Sequence, residues 1–368
     1  VNVPFVDFRA HVASVRAEVE QAVSRVLDAG WFILGPEGEA FEKELAAALG
    51  ARDCVAVANG TEAIQLALEA LRLKPGDEVV TSPLSAAFTV LAVQRAGCRP
   101  VFADLDPVTL NVSPEAVERA LTPRTRALLP VHLYGHPADL DPLLDIARRR
   151  SLPLVEDACQ AHGALYRERP VGALSGLGAL SFYPTKNLGA LGDGGAVLVN
   201  DPGVAATLRR LRNGGQSDRY RHEESGLNSR LDEMQAAILR AFLRHLPAWT
   251  ERRRALAALY RRELEGAAVT LPAEEPYARA VYHLFVIRHP RRDALAAALR
   301  ERGIGTLVHY PIPLHLQPAF AGLGGRPGDL PVAEKAAAEV LSLPLYPELT
   351  DEQALAVASA VRELAARA

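Results

Sequence analysis

Cysteine is scarce in this chain. Cys54, Cys98 and Cys159 are odd in number, widely spaced and set among apolar neighbours. That pattern predicts reduced core thiols of a cytoplasmic protein and argues against a disulfide framework or a cysteine metal site. A dominant charge is lacking too: the formal net charge is -3, which offers no electrostatic footing for nucleic acid or an anionic membrane. No apolar run reaches membrane-spanning length, so no membrane partner is expected. The segment Val1-Asn2-Val3-Pro4-Phe5 has neither the charged nor the apolar block of a signal peptide. Ten histidines form no closely spaced ligand cluster, so no metal site is expected. Repeats, low-complexity tracts and long linkers are also missing. What is present is 49% hydrophobic and 23% charged residues over 368 positions, the composition of a soluble, well-packed protein. The length exceeds one ordinary core and predicts a large domain and a smaller one. Arginine runs at Arg148 to Arg150 and Arg252 to Arg254 fall in helical stretches and read as solvated faces.

From about residue 50 short apolar runs alternate with amphipathic helices. Strands are predicted at Val55 to Ala58, Glu78 to Thr81, Pro100 to Ala103, Arg126 to Val131 and Pro153 to Glu156. Helices are predicted at Thr61 to Leu71, up to about Gly97, at Ser113 to Leu121 and at Asp139 to Arg150. This alternation implies an α/β domain with a mostly parallel sheet covered by helices on both faces. Ala179 to Tyr183 and Ala196 to Asn200 add two strands. An alanine- and arginine-rich helical stretch then runs from Leu231 to about Glu265, with a break expected near Pro247. A strand near His283 to Arg288 and a helix at Asp293 to Arg302 follow. The domain boundary is placed near residue 240, giving 1–240 as the large domain with an N-terminal arm and 241–368 as the small one.

The most informative residue is Lys186, in Ser181-Phe182-Tyr183-Pro184-Thr185-Lys186-Asn187-Leu188-Gly189-Ala190. A lysine between a proline and a glycine-rich stretch, behind an apolar run, is an odd solvated charge. Desolvation lowers an ammonium pKa, and a neutral, positioned amine is what Schiff-base chemistry requires. Taken alone, a lysine snorkelling from a loop explains it as well. Asn59-Gly60-Thr61 closes one predicted strand and opens an apolar helix. It offers free N–H groups and a hydroxyl to a phosphate, and it equally reads as an ordinary turn and N-cap. Asp157 ends another strand beside Ala158-Cys159-Gln160-Ala161-His162-Gly163. A buried carboxylate there needs a cation or hydrogen-bond donors, or else it caps the following segment. One cofactor unites the three signals: pyridoxal phosphate needs an amine for its aldehyde, an acid for its ring nitrogen and a cradle for its phosphate. Lys186, Asp157 and Gly60/Thr61 match these, with Ser181 a further phosphate donor.

The same residues carry a family resemblance that runs nearly end to end. Its strings are Gly30-Trp31-Phe32-Ile33-Leu34-Gly35-Pro36, Asn59-Gly60-Thr61-Glu62-Ala63, Pro130-Val131-His132-Leu133-Tyr134-Gly135 and Glu156-Asp157-Ala158-Cys159-Gln160-Ala161-His162-Gly163. The lysine segment, Gly226-Leu227-Asn228-Ser229-Arg230-Leu231-Asp232, His309-Tyr310-Pro311 and Ser342-Leu343-Pro344-Leu345-Tyr346-Pro347 complete it. The chain closely resembles the sugar aminotransferases of the DegT/DnrJ/EryC1/StrS family. The resemblance implies the aspartate-aminotransferase-like fold type I of pyridoxal-phosphate enzymes, with a mostly parallel seven-stranded sheet and a smaller α+β C-terminal domain. It implies that Lys186 forms the Schiff base with the cofactor and shuttles the proton, and that Asp157 keeps the pyridine nitrogen protonated. It places Gln160 by the ring hydroxyl and Gly60, Thr61 and Ser181 on the phosphate. Asn228 would reach the phosphate of a neighbouring subunit, making a homodimer with active sites at the interface. Trp31, His309, Tyr310 and His315 would line the sugar-nucleotide side, or serve as packing residues.

One departure concerns the ring. The residue that usually stacks on it falls at Ala86, in Pro83-Leu84-Ser85-Ala86-Ala87-Phe88-Thr89. Either Phe88 takes over or another side chain covers that face. Small residues here resemble the branch that aminates C-3 of keto sugars. Related dehydratases replace the lysine with histidine, and this chain does not. The expected activity moves an amino group from L-glutamate to a nucleotide-linked keto-deoxysugar. Amination of a keto-cyclitol, a non-catalytic regulatory relative and a cofactor-free lysine aldolase are the rivals.

Overall fold

The computed structural model describes residues 2–368. Seven strands build the central sheet: β1 (Asp53–Val57), β2 (Glu78–Thr81), β3 (Arg99–Phe102), β4 (Thr125–Leu129), β5 (Glu156–Asp157), β6 (Leu177–Ser181) and β7 (Gly195–Val199). Strands β3, β2 and β4 pair in parallel, and β5 pairs in parallel with β6. Two isolated parallel bridges, Leu128↔Leu154 and Val131↔Asp157, join these groups. β7 runs against both β6 and β1, so the order is β3-β2-β4-β5-β6-β7-β1 with one strand reversed. The mostly parallel seven-stranded sheet expected from the sequence is therefore present.

The helices between the strands are α3 (Gly60–Ala70), α4 (Ala87–Arg95), α5 (Pro114–Ala120), α6 (Leu140–Arg150) and α7 (Pro202–Leu211); α1 (Phe8–Ala29) and α2 (Pro36–Ala48) precede them. One apolar layer packs α3 and α7 on the sheet through Ile64, Leu68, Val197 and Leu208. The opposite layer takes in α1, α2, α6 and α8 (Glu233–Leu243) through Val26, Phe41, Leu143 and Phe242. Most boundaries fall within a residue or two of the expected ones. The sequence reading leaves α1 unassigned because its signal is weak: over 22 residues it buries only Val15, Ala22 and Val26, too few for a clear apolar stripe. The long helical stretch breaks after α8, before Pro247: α9 (Leu246–Glu263) carries that proline in its first turn, where a missing N–H costs no hydrogen bond.

A second core surrounds α9, β8 (Phe285–Arg288), α10 (Arg292–Glu301), β9 (Val340–Leu343) and α11 (Asp351–Ala365), built on Leu256, Tyr260, Phe285, Leu295, Leu343 and Val361. Val3 packs into it from the N-terminal end. None of the described helices is long and apolar enough to cross a membrane.

One buried acid orders the N-terminal quarter. Helix α2 has no side-chain cap of its own at Gly35. Glu233, at the start of α8 and 1% exposed, instead accepts the N–H groups of Gly35, Glu37 and Gly38 at 2.9, 2.8 and 3.0 Å. These are donors that no intrahelical carbonyl reaches, at the positive end of the helix. Glycine is required at both positions, since a Cβ on Gly35 or Gly38 would lie 2.8 Å from the Glu233 carboxylate. Glu233→Ala strands three donors and is expected to lower stability by about 2–4 kcal/mol. An unchanged urea midpoint would show that water replaces the carboxylate at no cost.

Candidate active site

The sheet's carboxyl ends meet the lysine loop around a cavity of about 630 Å³. β1 delivers Asn59, whose side chain accepts the Glu62 N–H at 2.9 Å and caps α3. The N–H groups of Gly60 and Thr61, the first two helical residues, lie beyond the reach of intrahelical carbonyls and both residues line the cavity. The Gly60 backbone lies directly against the end of β6. A Cβ there would sit 2.6 Å from Ser181 Cβ and 3.1 Å from Ser181 Oγ and Cys159 Sγ. Two N–H groups and a hydroxyl thus converge in a cradle only glycine permits, which fits a phosphate.

β5 delivers Asp157, 3% exposed. Its Oδ1 accepts the Cys159 N–H at 3.2 Å and its Oδ2 accepts the Thr89 hydroxyl at 2.9 Å. Gln160 is fixed at both ends: its Oε1 accepts the Tyr134 N–H at 2.7 Å and its Nε2 donates to the Tyr310 hydroxyl at 3.0 Å. The Tyr134 hydroxyl in turn donates to the His309 carbonyl.

β6 leads into a tight loop, closed by Lys186 N–H to Tyr183 O at 2.8 Å and Ala190 N–H to Phe182 O at 2.7 Å. Asn187 ties this loop to the C-terminal half by donating to Val281 O at 3.0 Å. Among the chain's lysines, Lys43, Lys74 and Lys335 are exposed, whereas Lys186 is partly buried and lines the cavity. Burial lowers its pKa, against the weaker opposing pull of the Cys159 thiol and then of Asp157. The amine's folded pKa is therefore below its unfolded value, so its protonation opposes folding at neutral pH and that opposition fades as pH rises.

Neutral groups complete the wall. Burial and then the lysine charge hold His309 down to about 4, and they push His283 well below its ordinary range. Tyr310 is raised to about 12, chiefly by burial. At neutral pH these groups serve as hydrogen-bonding groups and add no charge of their own.

Of the residues singled out in the sequence, Gly60, Thr61, Phe88, Asp157, Gln160, Ser181, Lys186, His309 and Tyr310 line this cavity, as does Ala86. Phe88 is 62% exposed at its edge. Three others lie elsewhere. Trp31 is 58% exposed and donates its indole N–H to Ile33 O at 2.7 Å. Asn228 is exposed and bridges backbone to backbone with Asn213. His315 is buried, with Nε2 at 3.0 Å from the Glu334 carboxylate, and it packs beside Phe102 away from the cavity. Sequence reasoning missed Ser85, Thr89 and His283, all on the wall. Ser85 precedes α4 and Thr89 stands in its first turn, and neither these small hydroxyls nor His283 carries a distinguishing signal in the sequence.

Comparisons with known proteins show the family. A profile of the DegT/DnrJ/EryC1/StrS aminotransferase family matches residues 13–362. A dTDP-3-amino-3,4,6-trideoxy-alpha-D-glucose transaminase of Streptomyces venezuelae is 52% identical over 367 residues, covering 100% of this chain and 97% of the relative. The crystal structure of S. venezuelae DesV in complex with a ketimine intermediate superposes with a TM-score of 0.98 at 52% identity, covering 100% of this chain and 99% of that one. NtdA of Bacillus subtilis, solved with its cofactor PMP bound, superposes with a TM-score of 0.93 at 33% identity, covering 99% of this chain and 85% of the other. The chain belongs to the DegT/DnrJ/EryC1/StrS aminotransferase family and is an enzyme of the aspartate-aminotransferase-like fold type I that works with pyridoxal phosphate.

Proposed function

We propose that the enzyme transfers an amino group from L-glutamate to C-3 of a dTDP-linked keto-6-deoxyhexose by a ping-pong sequence. The observation that carries this reading is the meeting of Gly60, Thr61, Asp157, Ser181 and Lys186 in one cavity. The substrate class is supported by the dTDP-sugar transaminases among the relatives. The 4-keto isomer and a keto-cyclitol are the alternatives on the same scaffold. A purely regulatory role does not account for a complete constellation of amine, acid and cradle.

When bound, pyridoxal phosphate takes the amino group from one substrate, stores it and passes it to the next, its protonated ring drawing electrons from the reacting carbon. The chain's own residues supply the rest. Gly60, Thr61 and Ser181 hold the phosphate, and Phe88 covers the ring face that Ala86 leaves open. Asp157 holds the proton on the ring nitrogen, and Gln160 approaches the ring hydroxyl. Lys186 would hold the cofactor through its aldehyde, and its amine, when free, would serve as the base and acid that moves the substrate proton. A lowered pKa suits an amine that must act as a base. His309 and Tyr310 offer neutral hydrogen bonds to the sugar without competing for that proton.

A second copy of the chain completes the site in this reading. Exposed apolar side chains at Trp31, Phe32, Ile33, Phe88, Tyr183 and Leu191 and the exposed position of Asn228 support a homodimer in which Asn228 and Trp31 serve the partner's cavity. Three unpaired cysteines support a reducing, cytoplasmic setting.

In an absorbance titration, L-glutamate should replace the visible band of the lysine-bound cofactor with a shorter-wavelength one, and a dTDP-3-keto sugar should restore it. Lys186→Ala should show no multiple turnover, and borohydride should fix the cofactor to Lys186 alone among the lysines. Turnover by the alanine variant without added amine would sink the assignment. Gly60→Ala should weaken cofactor retention about tenfold, consistent with an overpacking cost of roughly 1–3 kcal/mol, with the fold kept by circular dichroism. Asn228→Ala should release cofactor faster on dialysis, and an active monomer in the ultracentrifuge would refute its cross-subunit role.

A further inference from the structure

The segment around Ala86 carries a pair of buried hydroxyls, one of which bonds the acid. Ser85 and Thr89 are 4% and 2% exposed. Their oxygens lie 3.0 Å apart, and Thr89 Oγ1 lies 2.9 Å from Asp157 Oδ2. A helical threonine ordinarily spends its hydroxyl on a carbonyl one turn back. This one bridges two side chains, in the first turn of α4 on the cavity wall.

We infer that Thr89, backed by Ser85, is a positioning residue that fixes Asp157 as the carboxylate partner of the cofactor's ring nitrogen; this rests on the role given to Asp157 above. A carboxylate can only accept, so Thr89 must donate to Asp157 and is left to accept from Ser85. The chain Ser85 → Thr89 → Asp157 has one direction while the acid is charged, and each bond polarises the next. Hydrogen bonds to the charged form favour that form. The other partner, the Cys159 N–H at 3.2 Å, is longer and comes from the acid's own strand end. Thr89 is therefore the one side chain that sets the carboxylate's orientation from across the cavity wall. Neither partner is a cation, which leaves the charge of Asp157 available to the ring.

The test compares binding of pyridoxal phosphate with that of an analogue whose ring nitrogen is replaced by C–H, titrated into cofactor-free protein and read by fluorescence quenching. Wild-type protein should prefer the natural cofactor, and Asp157→Asn should abolish the preference. Thr89→Val, which fills the same space, should reduce the preference about tenfold or more, while Thr89→Ser keeps it. Ser85→Ala should reduce it less. A merely structural role would weaken both ligands equally and leave the ratio intact. If Asp157→Asn loses the preference and Thr89→Val retains it, Thr89 does not act through the acid and the inference fails. If Asp157→Asn itself retains it, the role assigned to Asp157 falls and takes this inference with it. Should Thr89→Val not fold, an unchanged ratio in Ser85→Ala overturns the inference by itself.

Discussion

An acid and an amine share one cavity, and the proposed chemistry depends on neither neutralising the other. Asp157 is held by a backbone N–H and a threonine hydroxyl, while burial is what lowers the pKa of Lys186. A direct ion pair would keep the amine protonated and leave no carboxylate for the ring nitrogen. β5 and the loop after β6 supply the two groups separately, so their spacing is set by sheet register, with Asp157 opposite Ala179. Side-chain flexibility plays little part in it.

The rest of the architecture serves that spacing through close backbone approaches. The end of β6 carries Ser181 against Gly60, leaving no room for a side chain between them. Gln160 joins Tyr134 of the loop after β4 to Tyr310 of the C-terminal half. Glu233 works on the same principle far from the cavity, using glycines so that a carboxylate can reach helix N–H groups.

Much of this was legible in the chain because it is periodic or chemically odd. Alternating strands and helices from residue 50 gave the sheet, and Lys186, Asp157 and Gly60 stood out as residues without a bland partner nearby. Helix α1 was not legible, since most of its surface faces away from the core. Family strings mix reacting and packing residues, which is why His315, tied to Glu334, reads like a ligand residue and lies elsewhere. Ser85 and Thr89 are not legible in the sequence, because small hydroxyls carry no signal until the acid they face is known.

Asn187, next to the reactive lysine, is anchored on Val281, and Val281 in turn donates its N–H to Gly135 O at 3.0 Å. The lysine loop is therefore tied to the segment around Val281, which itself packs into the core of the large domain. In mechanical terms the pin sits one residue from the lysine, so a shift of the Val281 segment reaches the lysine loop directly.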